Sequence, residues 1–345
     1  MSRFLERPVT APVPWLRPIG SIWGLVMAAR RWAYDTGLLR PASVGTPVIS
    51  VGNLTLGGNH KTPMCVFLAK ALHEKGFKPA IISRGYGRKP VKSHPEPLFV
   101  SKGHGPLAPV EESGDEPFLM AIKTNSMVVL AKKRSLAAKQ AIEAGADILV
   151  LDDGFQHLAL KRDLDILMVQ ANQDFEDDLV VPAGYLRETA KAQLRADIIV
   201  AIGGSLNESL LKVANGRPVF LAKMVPTGLT SLASGAAVDP ASLKGQRLGA
   251  FCGLARPSSF FRSVSDANIK LNAHLCFPDH VAYGQGDLSR LTDFRDLNQL
   301  DCLLTTAKDA VKLPKSLPFQ IVTMESELEL ERPREFLEET LSRLS

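Results

Sequence analysis

The 345-residue chain is 45% hydrophobic and 22% charged, with 26 glycines and 23 prolines. That composition excludes a disordered, collagenous or coiled-coil protein, and the length suits about two globular domains. The four cysteines (Cys65, Cys252, Cys276 and Cys302) form no C-x-x-C pair, so neither a zinc ribbon nor a disulfide framework is signalled and a reducing compartment is expected. Of the net +5 charge, residues 1–45 carry +4, with six arginines against Glu6 and Asp35. A nucleic-acid binder would spread its basic residues over the folded body, so nucleic acid is not an expected partner.

In chain order, the first predicted element is a helix around the uncharged stretch Pro18–Ala29. Its apolar run is short of the ~20 residues needed to cross a bilayer. Ile19, Ile22, Trp23 and Val26 share one helical face, and Trp15, Trp23 and Trp32 are the only tryptophans of the chain. Tryptophans and arginines on an amphipathic helix suit a segment lying on a membrane surface. A helix packing that face on the body is equally compatible.

From Thr46 the pattern becomes strand, loop, helix. Pro47–Val51 reads as a buried strand, and a helix is predicted from Pro63 until Gly76 closes it. Pro79–Ser83, Asp147–Leu151, Leu164–Val169, Asp197–Ile202 and Pro218–Ala222 read as further strands, with a helical stretch over Ala131–Ala144. Strands alternating with helices predict a parallel sheet with helices on both faces. The Gly/Ser/Thr-rich stretch Val225–Gly235 reads as an inter-domain link. Beyond it Arg247–Cys252, Leu300–Thr305 and Phe319–Val322 predict a smaller α/β lobe.

The segment Gly52–Thr62 lies between a predicted strand and a predicted helix, the context of a phosphate-binding loop. There backbone N–H groups and a helix N-terminus face phosphate oxygens, a lysine (Lys61) reaches the terminal phosphates and a hydroxyl (Thr62) holds Mg²⁺. His60 stands where glycine usually precedes the lysine. Asp152-Asp153 follow an apolar strand, the usual place of a second Mg²⁺ holder, although a plain Asp-Gly turn reads the same way. Ser83–Arg88 brings two arginines to a strand end, Gly114–Pro117 places Asp115 and Glu116 at a predicted helix start, and Pro278–His280 offers an imidazole from the second lobe, although a solvated loop, helix capping and a structural histidine account for the three equally well.

Taken in this order, the motifs resemble the tetraacyldisaccharide 4′-kinase family, the lipid A 4′-kinases. The marks are Ser50–Asn53 with the glycine loop, Ser83–Gly87, Gly114–Pro117, Asp152–His157, Pro182–Glu188, Gly253–Pro257, Phe277–His280 and Thr305–Leu313. The resemblance implies a fold similar to P-loop NTPases, with a smaller C-terminal α/β lobe and an N-terminal amphipathic helix. It implies a membrane-associating arm over residues 1–45, a kinase domain over 46–225 and a cleft-closing lobe over 226–345.

The activity implied is transfer of the γ-phosphate of ATP, with Mg²⁺, to the 4′-hydroxyl of an acylated glucosamine disaccharide 1-phosphate, at the cytoplasmic face of the bacterial inner membrane. Carried over by motif, Thr55, Leu56, Gly57, Gly58, Asn59, His60, Lys61 and Thr62 are the nucleotide loop. Asp115 accepts the hydroxyl proton, tuned by His280, while Thr62, Glu116, Asp152 and Asp153 serve the metal. Arg84, Tyr86, Arg187 and Glu188 are assigned to the acceptor substrate. Besides His60, the chain departs from the family pattern at Tyr185, Ala307 and Asp177-Asp178. Two other readings stay open: a relative that binds lipid disaccharide without catalysis, and a soluble P-loop kinase of another substrate. Protein partners are not indicated.

Overall fold

The structure is a computed structural model that describes residues 13–58, 60–86, 88, 96–172, 175 and 179–344. In chain order its elements are α1 (Arg17–Asp35), β1 (Val48–Gly52), α2 (Lys61–Glu74), β2 (Pro79–Ser83), β3 (Leu98–Lys102), α3 (Val110–Ser113), α4 (Asp115–Lys123), β4 (Met127–Leu130), α5 (Arg134–Glu143), β5 (Ile148–Asp152), β6 (Leu164–Gln170) and β7 (Ile198–Ile202). There follow α6 (Glu208–Ala214), β8 (Val219–Ser231), β9 (Leu248–Cys252), α7 (Pro257–Asp266), β10 (Ala273–Cys276), α8 (Gln285–Leu297), β11 (Cys302–Thr306), α9 (Ala307–Ala310), β12 (Gln320–Leu330) and α10 (Pro333–Ser342).

The strands join into one sheet in the order β10-β9-β11-β12-β8-β7-β6-β1-β5-β2-β4-β3. The run from β8 to β4 is parallel, as is the run from β10 to β12. β3 is an antiparallel edge, and β8 pairs antiparallel with β12. The five residues of each of β1, β2, β5 and β7 are all buried, as continuous apolar runs covered on both faces must be. Helices α2 and α4 cover one face, while α5 and α6 pack on the other.

The sequence-predicted strands all form, β8 and β12 running well past their expected ends. The stretch expected as an inter-domain link is strand as far as Ser231, because β12 supplies it with an antiparallel partner. A boundary at 225/226 therefore falls inside β8. β12 and α10 come back to the first core, where Leu328, Leu330, Phe336 and Leu337 pack among residues of β1, α2 and β7. The remaining strands of the second run have their own cores on either face of β9 and β11.

β1 sits between β5 and β6, where the strand order changes direction, so a crevice opens at the C-terminal strand ends. Helix α1 lies beside it, docked through Gly20 and Gly24. A Cβ on Gly20 would fall 2.6 Å from the Val180 carbonyl oxygen, so the absent side chains set the approach. Ile19, Ile22, Trp23 and Val26 are instead exposed, as are Trp15, Leu25 and Trp32. No helix among the described residues is long and apolar enough to cross a membrane.

Candidate active site

The loop after β1 begins with Asn53, whose amide donates to the Thr55 carbonyl (2.9 Å) and whose Oδ1 accepts from Lys61 Nζ (3.0 Å). Leu54 and Leu56 are tied by backbone hydrogen bonds to Arg187 and Tyr185, so the Pro182–Glu188 run braces the loop. Gly57 (φ +94°) and Gly58 have open space where a Cβ would sit, which leaves the backbone free to approach a phosphate. His60 caps α2 in the left-handed region (φ 56°, ψ 28°), the conformation a glycine would take there. Burial, aided by the Arg256 charge, holds its imidazole down at about 4, so it is neutral at pH 7. Asn59 and Gly87 lie outside the described residues, as do Asp177, Asp178 and residues 1–12.

At the end of β5, Asp152 accepts from Ser83 Oγ (2.8 Å) and from the Cys65 thiol (3.8 Å). Burial raises this carboxyl to about 6, and the Glu116 and Asp153 charges push the same way. Asp153 contacts Lys61 (3.3 Å) and Arg187 (2.8 Å); burial raises its carboxyl, but those two cations outweigh burial and leave it below the ordinary range. Arg134 reaches the carbonyls of Asp152 and Asp153 and the ring of His157. This crowd of carboxylates beside Lys61 and Thr62 is what a divalent cation would relieve. Among the described residues no three acidic, His or Cys side chains form a metal cage. Mg²⁺ needs none, since it takes one or two protein oxygens and completes its shell from phosphate and water.

Asp115 starts α4 after Gly114, whose φ of +85° turns the chain. Its Oδ2 lies 3.1 Å from His280 Nδ1 and 3.8 Å from both Lys308 and Lys312. Burial works to raise the Asp115 carboxyl, yet the His280 hydrogen bond and the lysine charges overcome it and bring it to about 2. The same hydrogen bond raises His280, though burial opposes it. Lys308 also bridges Glu116 and Asp279, each at 3.3 Å.

These groups surround one cleft of about 1570 Å³, lined by Gly57, Lys61, Asp153, Glu116 and His280, and on its α1 side by Trp23. Leu56, Gly58, His60, Thr62, Arg84, Tyr86, Asp152 and Arg187 also face it, with Asp115 just behind His280. Tyr86 stands edge-on to His280 (6.1 Å between rings). Thr55 is set back, bridged to Leu186. Glu188 is also set back, its buried carboxylate taken by Arg195 at 2.7 and 2.9 Å. Sequence reading had assigned no role to Asn53, Arg134, Lys308 or Lys312. Nothing local in the sequence marks Lys308 and Lys312, since Lys312 lies past the end of α9 and the two meet Asp115 only through the fold.

Residues 13–345 match the family described as Tetraacyldisaccharide-1-P 4′-kinase, or LpxK. Tetraacyldisaccharide 4′-kinase of Geobacter metallireducens is 39% identical over 294 residues, covering 84% of this chain and 86% of its own. The Stenotrophomonas maltophilia protein of that name is 38% identical over 303 residues, covering 88% and 85%. A crystal structure of LpxK from Aquifex aeolicus in complex with ATP superposes with a TM-score of 0.75 at 30% identity, over 96% of this chain and 99% of that one. With the loop, the acidic strand end and the Asp115–His280 pair around one cleft, the chain belongs to the tetraacyldisaccharide-1-P 4′-kinase family.

Proposed function

We propose that this chain is an ATP-dependent kinase that phosphorylates the 4′-hydroxyl of a tetraacylated glucosamine disaccharide 1-phosphate, giving lipid IVA. The observation that carries the reading is the Asp115–His280 pair beside the cleft that Lys61 and the glycine loop enter. In this assignment the loop from Leu56 to Thr62 cradles the nucleotide with Thr55 behind it, and Lys61 neutralises its terminal phosphates. Thr62 and Asp152 would hold Mg²⁺, with Asp153 and Glu116 close by. The metal, when bound, offsets charge developing on the transferred phosphoryl group.

An alcohol ionises far above neutral pH, so its proton needs a positioned acceptor. Asp115 is that acceptor. His280 keeps a proton on the Asp115 side of its ring, and Lys308 and Lys312 hold the carboxylate ionised and aimed. Arg84, Tyr86 and Arg187 meet the acceptor's polar head, and Glu188 holds the run that carries Arg187. Residues 226–345 bring His280 and Lys308 to the nucleotide half across the cleft.

The acceptor carries acyl chains, so it must be met at a lipid surface. Helix α1 exposes Ile22, Leu25 and Trp32, and Trp15 is exposed just before it, while Trp23 and Arg30 line the cleft, which supports peripheral attachment through residues 1–45 at the cytoplasmic face of the bacterial inner membrane.

The test is transfer of labelled γ-phosphate from Mg-ATP to the disaccharide 1-phosphate in detergent micelles. Asp115→Asn should lower kcat by at least about 100-fold with ATP affinity nearly unchanged, and Lys61→Ala should lower both. Transfer that survives Asp115→Asn would remove Asp115 as the proton acceptor.

A further inference from the structure

Two of the four cysteines face each other. Cys252 ends β9 and Cys276 ends the edge strand β10, and the parallel register pairs them directly. Directly paired residues of a parallel ladder point to the same side of the sheet. Here that side is the α7 layer, where Cys252 and Phe261 share one core; His274, two residues before Cys276, lies tilted against the same Phe261 ring at 4.9 Å. Cys252 is buried and Cys276 is exposed, so one thiol meets solvent while the other waits behind it. Cys65 and Cys302 are both buried in other elements.

We propose that Cys252 and Cys276 form an oxidisable dithiol, which hydrogen peroxide converts to a disulfide that displaces the His280 loop and slows phosphoryl transfer. The Cys276 thiolate attacks one peroxide oxygen. The O–O bond breaks, hydroxide leaves and takes up the thiol's released proton, and Cys276 becomes a sulfenic acid. Cys252 sulfur then attacks the Cys276 sulfur as its own proton passes to the departing oxygen. The S–S bond forms and water leaves. Two thiols are oxidised by two electrons and one peroxide is reduced to two waters. The Cys252 thiol donating to Cys276 favours this order, because it holds Cys276 below the usual thiol range and Cys252 above it.

The site is coupled because both strands end at the cleft. Phe277 N donates to the Cys252 carbonyl (2.9 Å), and Gly253 N donates to Asp309 (3.0 Å). Pro278, Asp279 and His280 follow at once. Unlinked thiols on neighbouring strands lie beyond the ~2.05 Å of an S–S bond, so closing the bond draws the exposed end of the edge strand toward β9, and the His280 loop follows it. A displacement of about 1 Å there can cost on the order of 100-fold in rate. Cys276 is exposed, so a reductant reaches the bond and the change reverses.

The effect on rate rests on the proposed role of His280; the covalent step does not. The full chain would be treated with a modest excess of hydrogen peroxide, then alkylated and digested for mass spectrometry. The expected product is a peptide pair joined at Cys252 and Cys276, two hydrogens lighter than the free thiols, with transfer reduced at least tenfold and recovered in dithiothreitol. Cys276→Ser, an exposed position, should keep full basal activity and lose both the link and the peroxide sensitivity. Cys252→Ala should leave Cys276 to progress to sulfinic acid. Sulfinic acid on Cys276 of the native chain, with no link, would overturn the pairing. A link that leaves transfer unchanged would overturn the coupling to the cleft while leaving the kinase reading untouched.

Discussion

Gly52 is the last residue of β1, directly under the turn that carries Asp153 and Gln156. A Cβ added there would lie 2.6 Å from Phe155 Cβ and 2.7 Å from its backbone nitrogen. Ordinary contact begins near 3.4 Å, so one of the two segments must move by about 0.8 Å. Neither yields freely. Gly154 N donates to Val51 (3.0 Å), Gln156 Nε2 donates to the Asn53 carbonyl (2.9 Å), and Arg195 donates to Phe155 O (3.0 Å). We expect Gly52→Ala to cost about 2–3 kcal/mol of stability, as overpacking does. The same shift would part Lys61 from Asp153 and lower kcat by about 100-fold. Gly58→Ala is the control, with nothing within 4 Å of the new methyl, and its stability should stay within about 0.5 kcal/mol. Urea unfolding and the labelled-phosphate assay read both quantities. If Gly52→Ala unfolds like Gly58→Ala and turns over like the native chain, the turn is not fixed against β1 and the reasoning fails.

Burial, with the charges of Arg134, Arg162 and Arg30, holds His157 at about 4 instead of 6.5. Below pH 6.5 the unfolded chain takes up a proton that the fold refuses, so stability is complete above 6.5 and drains away toward pH 4. Allowing for partial exposure, His157→Gln should spare about 1 kcal/mol of the loss between pH 7.5 and pH 5; parallel unfolding curves for the two proteins would refute this. Breaking the buried Glu188–Arg195 pair with Glu188→Gln should cost about 3 kcal/mol. Unchanged thermal stability with a raised KM for the lipid would put Glu188 in the acceptor site instead. His60→Gly should leave stability within about 0.5 kcal/mol, since relief of the left-handed backbone is offset by a looser unfolded chain. Its KM for ATP should stay within about threefold, because the imidazole is uncharged at pH 7; tenfold tighter binding would show that the ring obstructs the phosphates.

Much of the nucleotide half was legible because buried parallel strands are continuous apolar runs, and each ends on a motif. Pro79–Ser83 formed at the expected limits, and β1 and β5 were displaced by one residue. The second half was harder to read. β10 is an edge strand of four residues with His274 and Cys276 in it, too short and polar to stand out. β8 carries Pro226 and Gly228, which read as a break; the strand continues because the ladder shifts register opposite Pro226, at Glu325/Ser326. In the site, Lys61 was singled out from local context and Asp115 from the resemblance of the Gly114–Pro117 motif. The cations that hold Asp115 ionised come from almost two hundred positions later, and no spacing rule links them. The Pro182–Glu188 run was visible as a motif, but only the fold separates Arg187, which faces the cleft, from Glu188, which is spent on Arg195.

The return of β12 and α10 to the first core has a consequence for how the chain is made. Phe336 is fully buried and stacks edge-on against Phe220 at 5.2 Å and Phe67 at 6.1 Å. Residues 48–224 therefore cannot seal their own hydrophobic layer during synthesis. They must wait on the ribosome, with apolar surface open, until residues 320–344 have emerged, and this high contact order favours slow folding that chaperones would need to protect. Once closed, neither half can melt without uncovering the other, so the mature protein should lose its structure in a single step.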